Sequence, residues 1–158
     1  MAAANPFDPV IVLFAKHAQH VVLIHFPIAL FTVGVTFDLG AEWSRRRGLA
    51  DERATALAAA AYYNLLLAAI FAVPAVVTGT LAWQFALEGQ ALKGILLGHL
   101  ILGCVSSIVI WISWWTHFRG RKSRRVLSRT RLVVEILGVI LVSLTGHLGG
   151  FLSGVNGV

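Results

Sequence analysis

ALAAAAYYNLLLAAIFAVPAVVTGTLAW, residues 56 to 83, runs from end to end without one charged side chain. At about 1.5 Å of rise per residue, a helix of this length more than spans the roughly 30 Å hydrocarbon core of a bilayer. Three further apolar runs, at about 21–41, 94–116 and 132–152, have the same property. The 158-residue chain is 58% hydrophobic and 13% charged, with a mean hydropathy of +0.80, which excludes an ordinary soluble domain. The expected fold is therefore all-α: one domain over residues 1–158, with four transmembrane helices in an up-down bundle.

MAAANPFDP carries no basic residue ahead of the first apolar run, so no cleavable signal is expected. Asp8 and Pro9 suit the N-cap and first turn of a short interfacial helix over VIVLFAKHAQH, residues 10–20. No repeat of fixed period and no low-complexity tract is read.

The formal net charge of +6 does not point to nucleic acid, because of where the charges sit. Arg45, Arg46, Arg47 and Arg53 lie between spans one and two, and RGRKSRRVLSRTR (119–131) supplies seven more cations between spans three and four. Both loops occupy one membrane face, and the opposite face keeps only Lys16 and Lys93. The positive-inside bias makes the basic face cytoplasmic and puts both termini outside, at the periplasmic face of a bacterial inner membrane. Trp111, Trp114 and Trp115 read as an interfacial belt at the cytoplasmic end. The lone Cys104 reads as a small buried hydrophobe, and no disulfide framework exists. No nucleophile–base set, phosphate loop or dinucleotide fingerprint is present.

Histidines supply the chemistry. His20 and His25 stand at the outer end of span one, His99 about two turns into span three, and His147 about two turns before the C-terminal tail, so three helices bring imidazoles to one layer. Ionisable groups inside a membrane are costly and mark function or interhelical pairing. Neutral imidazole ligates haem iron, copper or zinc. Carboxylates are absent from the layer, since Asp38 and Glu135 lie at the cytoplasmic ends of their spans, whereas glycines are abundant. Gly98 and Gly103 flank His99, and Gly146, Gly149 and Gly150 flank His147, leaving room for a flat ring. His25 shares a helical face with the small residues Ala29, Thr32 and Thr36, and Pro27 frees the carbonyl of Leu23, allowing a bend that aims the imidazole. His20 and His25 are about 140° apart around a helix, so both cannot reach one iron. The expected axial pair is His25 with His99. His147 is a substitute for either, and His20 is a propionate partner or, with His147, the ligand of a second haem.

HVVLIHFPIAL, TGTLAW (78–83), GHLILG (98–103) and GHLGGFLSGVNGV (146–158) resemble a bacterial family of four-span membrane domains of unknown function, marked by HFPIAL early and GHLGG late. The resemblance covers all four spans and places the family histidines on His20, His25, His99 and His147. Val21 stands where the family has proline, and Ala82 where an acidic residue often precedes the tryptophan, here Trp83. Relatives fused to Rieske iron–sulfur or cytochrome c domains imply electron transfer. The expected function is thus a b-type haem subunit, with one haem or two, of a larger respiratory or dehydrogenase complex. Its expected partners are membrane lipid, a cytochrome c or iron–sulfur protein, and quinone. It is an electron carrier with no catalysis of its own. The competing readings are a cofactor-free structural anchor and a small transporter or copper- or zinc-binding protein.

Overall fold

In the computed structural model, residues 16–49, 51–85, 87–120 and 129–153 are described, and they form four long helices. These are α1 (Lys16–Arg46), α2 (Asp51–Phe85), α3 (Gly94–Gly120) and α4 (Arg129–Leu152). All four are long and apolar enough to cross a membrane, so the chain is a multi-pass membrane protein. Each helix packs on its chain neighbours and α4 closes on α1, giving an up-down bundle with α1 diagonal to α3. Pro27 and Pro74 lie inside α1 and α2, which run through them unbroken. The expected cap at Asp8 and most of the interfacial helix fall outside the described residues; Lys16–His20 are the first residues of α1 itself.

The bundle is inverted in polarity relative to a soluble one. On α3 the buried residues are Ser106, Ile110, Ser113 and His117, at helical spacings of three and four, while Ile101, Ile108, Ile112 and Trp115 face outward. Buried polar side chains with exposed aliphatic ones are what a lipid surround selects, because lipid gives apolar groups no reason to cluster inside. The outer surface of the helices therefore contacts lipid acyl chains. Cys104, expected to be buried, is exposed and lies on the lining of the cavity described below.

Small residues bring α1 and α2 together. Ala54, Ala61, Ala68, Ala75 and Ala82 recur at every seventh position of α2, and all are buried. The expectation of no fixed period is corrected here: the heptad is written in alanine, which leaves no contrast of hydrophobicity to notice. Gly34 of α1 meets this seam closely, and a Cβ there would stand 3.0 Å from Leu65 Cγ. The turn into α2 is a Schellman cap. Gly48 at φ +62 lets its own N–H reach the Arg45 carbonyl and the Leu49 N–H reach that of Ser44.

Midway through the bundle, Phe31 is fully buried among Val35, Leu65, Ala68, Ala69, Ile110 and Val142. A Cβ on Gly138 of α4 would lie 2.7 Å from Phe31 Cζ and 2.9 Å from Val109 Cγ1. Gly138→Ala is expected to force the ring and the α1–α4 contact apart, at a cost of about 1–3 kcal/mol. The drop is measurable as an earlier unfolding transition in detergent, and a wild-type midpoint would show that the ring can yield.

Candidate functional site

A cavity of about 420 Å³ occupies the half of the bundle away from the arginine loops. Its lining runs from Trp83, Leu87 and Gln90 at the α2–α3 turn to Ile110 and Val142 beside the Phe31 layer. Two imidazoles enter it from diagonal helices, His20 from α1 and His99 from α3. Their ring centroids are 6.4 Å apart and the ring planes cross at 82°.

Neighbouring groups fix the protonation of both rings. His99 Nδ1 lies 3.1 Å from the carbonyl oxygen of Thr145, which only accepts, so Nδ1 carries the proton. His20 Nδ1 lies 3.3 Å from Thr78 Oγ1, whose single proton goes to the Pro74 carbonyl at 2.7 Å, so here too Nδ1–H donates. In the neutral imidazole that leaves a lone pair on Nε2 of each ring. Glycines make the space. A Cβ on Gly79 would stand 2.9 Å from His20 Cε1, and one on Gly149 would stand 3.1 Å from His99 Cε1.

The structure does not bring the expected axial pair, His25 and His99, together; it places His20 beside His99. His25 is exposed, with its Nδ1 turned back to the Val21 carbonyl at 2.5 Å, so it does not face His99. Ala29, Thr32 and Thr36, the small face that was expected to point inward, are exposed with it. The threonine hydroxyls donate to the carbonyls four residues earlier, at 2.8 Å each, and so tolerate lipid without a partner helix. His20 instead shares a face with buried Pro27 and Gly34, seven and fourteen positions on. His147 is likewise exposed, its ring edge-on to Phe151 at 5.0 Å.

Of the expected glycines, Gly103 and Gly146 line the cavity, whereas Gly98 packs on Leu148 outside the lining and Gly150 lies half-buried on α4. Gly79 and Gly149, the two that touch the imidazoles, were not singled out as ring contacts from sequence. The TGTLAW motif held the missing signal. It supplies Thr78 beneath His20, Gly79 against its ring, and Trp83, whose Nε1 donates to the Gln90 carbonyl at 3.0 Å and ties the α2–α3 turn over the cavity.

A second polar centre lies at the arginine-loop end. Asp38, His117 and Glu135 are buried, and one ligand-type atom from each falls within 4.8 Å of the others. His117 Nε2 is 2.8 Å from Glu135 Oε1 and 3.7 Å from Asp38 Oδ2. Arg131 Nη2 donates to both Asp38 oxygens, at 3.0 and 2.8 Å. Sequence reasoning assigned these residues to the cytoplasmic ends of their spans and did not join them. The signal was available in the i, i+4 pairs Asp38–Glu42 and Arg131–Glu135.

Compared with known proteins, residues 16–158 match the family described as a predicted membrane protein (DUF2231). No curated protein and no solved structure matches the chain.

Proposed function

The chain belongs to this family of predicted membrane proteins, and on that premise we propose that it binds b-type haem between His20 and His99 and serves as an electron-transfer subunit of a larger membrane complex. The observation that carries the reading is the pair of imidazoles that enter one cavity from diagonal helices with ring centroids 6.4 Å apart. If haem were bound there, His20 and His99 would be the residues to hold its iron. Among the described residues, no third histidine, cysteine or carboxylate joins them to complete a tetrahedral zinc or copper site. The mostly aliphatic lining suits a porphyrin, and the volume is that of a small-molecule pocket.

Bound there, haem would supply one-electron exchange. The protein's own part is to hold both rings as Nδ1–H tautomers through Thr78 and Thr145, which raises the basicity of each Nε2. Gly79 and Gly149 keep the rings upright in a confined space. Two imidazole ligands leave no open position for a substrate, so the subunit carries electrons and a partner performs the chemistry. The matching partner is a periplasmic cytochrome c or iron–sulfur protein, with quinone as a further donor. The second reading, a cofactor-free anchor, draws on the same hydrogen bonds taken as interhelical glue.

Absorption spectra of the detergent-purified protein, oxidised and then reduced, separate the two. Sharp reduced α and β bands are the expected result, and colourless protein from haem-replete cells leaves only the anchor. We also propose that the cavity half faces the periplasm, because the arginines gather at the other end. A cysteine introduced at Gly89 is then expected to react with an impermeant reagent from outside, and labelling only from the cytoplasm reverses the orientation.

A further inference from the structure

Beyond the haem reading, and independently of it, we propose that Asp38, His117, Glu135 and Arg131 form a membrane-embedded proton-binding site that exchanges one proton with the arginine-loop face. Charge balance comes first. Arg131 neutralises Asp38 through its two contacts, which leaves the hydrogen bond between His117 Nε2 and Glu135 Oε1, at 2.8 Å, to hold one proton between two groups that both accept it. With that proton the cluster is neutral, and without it the cluster carries one negative charge. Arg131 Nε, 3.6 Å from Glu135 Oε1, stands ready to compensate that charge. Exchange adds or removes one proton and one charge, and nothing is oxidised.

Two independent features point to exchange, where a sealed ion pair would show neither. The first is unmet hydrogen-bonding demand. Glu135 Oε2, Arg131 Nε and Ser113 Oγ are buried and make no hydrogen bond among the described residues, although Glu135 and Ser113 are fully buried residues. Buried polar atoms of this kind are served by water, and water carries protons. The second is a route out. Glu42 lies one helical turn beyond Asp38 on the same face, its side chain 7% exposed, and is held at 2.7 Å by Arg46 and at 3.8 Å by Arg45, both exposed at the end of α1. Its Oε2 and the neighbouring Ser44 Oγ are also buried and make no hydrogen bond among the described residues. The acidic groups thus step from the interface to the cluster. Among the described residues, the other charged or titratable groups toward this end of the bundle are Arg47 and Arg119, exposed at the ends of α1 and α3, and, on α2, buried Tyr62, exposed Tyr63, and exposed Glu52 and Arg53 in its first turn. In the other direction the Phe31 layer is apolar, so the route to the site runs from the arginine-loop face.

The ligand set also resembles a cation site, but Arg131 already occupies both oxygens of Asp38 with a positive charge. A divalent ion would have to displace it.

Infrared difference spectra of the full-length protein in lipid nanodiscs, taken between pairs of pH values, test the proposal. A protonated-carboxyl stretch that titrates reversibly is expected in the wild type. Glu135→Gln is expected to remove it and Glu88→Gln, in the exposed α2–α3 turn, to leave it. If Glu135→Gln does not fold, His117→Gln serves instead, with an expected shift of the same band's midpoint. The proposal is overturned if no carboxyl band titrates in the wild type, or if the band is unchanged in the folded variants. Retention of zinc at one ion per chain through dialysis, lost in His117→Gln, overturns it in favour of a metal.

Discussion

Arg131→Met is expected to destabilise the protein by about 3–5 kcal/mol, because it leaves a carboxylate buried with no cation against it. The side chain of Asp38 is 2% exposed and that of Arg131 19%, so neither is screened as a surface pair would be. The guanidinium supplies both of the hydrogen bonds that reach Asp38, and His117 at 3.7 Å is too far to replace them. Arg131→Lys keeps the charge and is expected to recover part of the loss. It cannot span Asp38 and Glu135 together as the planar guanidinium does. The double variant Asp38→Leu, Arg131→Met removes both charges and is expected to unfold much closer to wild type than either single variant, since apolar replacements of a buried pair avoid the desolvation cost. Denaturant or SDS titration of all four proteins gives the coupling directly. A loss in the double variant equal to the sum of the Asp38→Leu and Arg131→Met losses would mean that the pair does not couple, and a near-neutral Arg131→Met would mean that water reaches Asp38 freely.

The spans and their order could be read from the sequence because hydrophobicity over a long window depends on composition alone, and lipid imposes the length. Which face of a helix points inward is a different kind of information. In a soluble bundle the apolar stripe answers it, but here α2 and α3 are apolar all round and the inner face is marked by small and polar residues. Thr32 and Thr36 look like inner-face residues and are exposed, while Ser106 and Ser113 look the same and are buried. The difference lies across the bundle. Ser106 Oγ meets Thr145 Oγ1 at 3.0 Å, whereas Thr32 and Thr36 find acceptors on their own helix. No local pattern distinguishes these outcomes, which is why the sequence does not say which of His20, His25, His99 and His147 face inward.

The ion cluster escaped for a related reason. Asp38 and Glu135 were weighed only against the histidines at the opposite end, and their own histidine, His117, sits in an aromatic stretch that reads as a belt. Trp111 and Trp115 do face outward there, and Trp114 packs edge-on to both and tilted against Phe118. His117 lies on the opposite side of the same two turns, buried. A belt and a buried site share one stretch of helix because they occupy different faces of it.

Substitution of each histidine in turn gives the sharpest expected contrast of all. His20→Ala and His99→Ala are each expected to abolish the low-spin haem spectrum, because each removes one of two ligands and leaves the iron without a second imidazole at that depth. His25→Ala and His147→Ala are expected to leave the spectrum intact, since both rings are exposed on the bundle's outer surface, away from the cavity lining. His117→Ala is expected to spare it as well, from the far side of the Phe31 layer. A graded test comes from Gly79→Ala. Its Cβ would stand 2.9 Å from His20 Cε1 and 3.4 Å from Nε2, so the ring must tilt, and a weakened ligand on one side of the iron shifts the band positions and the reduction potential without emptying the site. The Thr78→Val variant removes the acceptor for the Nδ1 proton and is expected to act in the same direction with no steric change. If His25→Ala and His99→Ala lost the spectrum while His20→Ala kept it, α1 would have to rotate by about 140° in the loaded protein, and the inward face derived from Pro27, Phe31 and Asp38 would be wrong along with it.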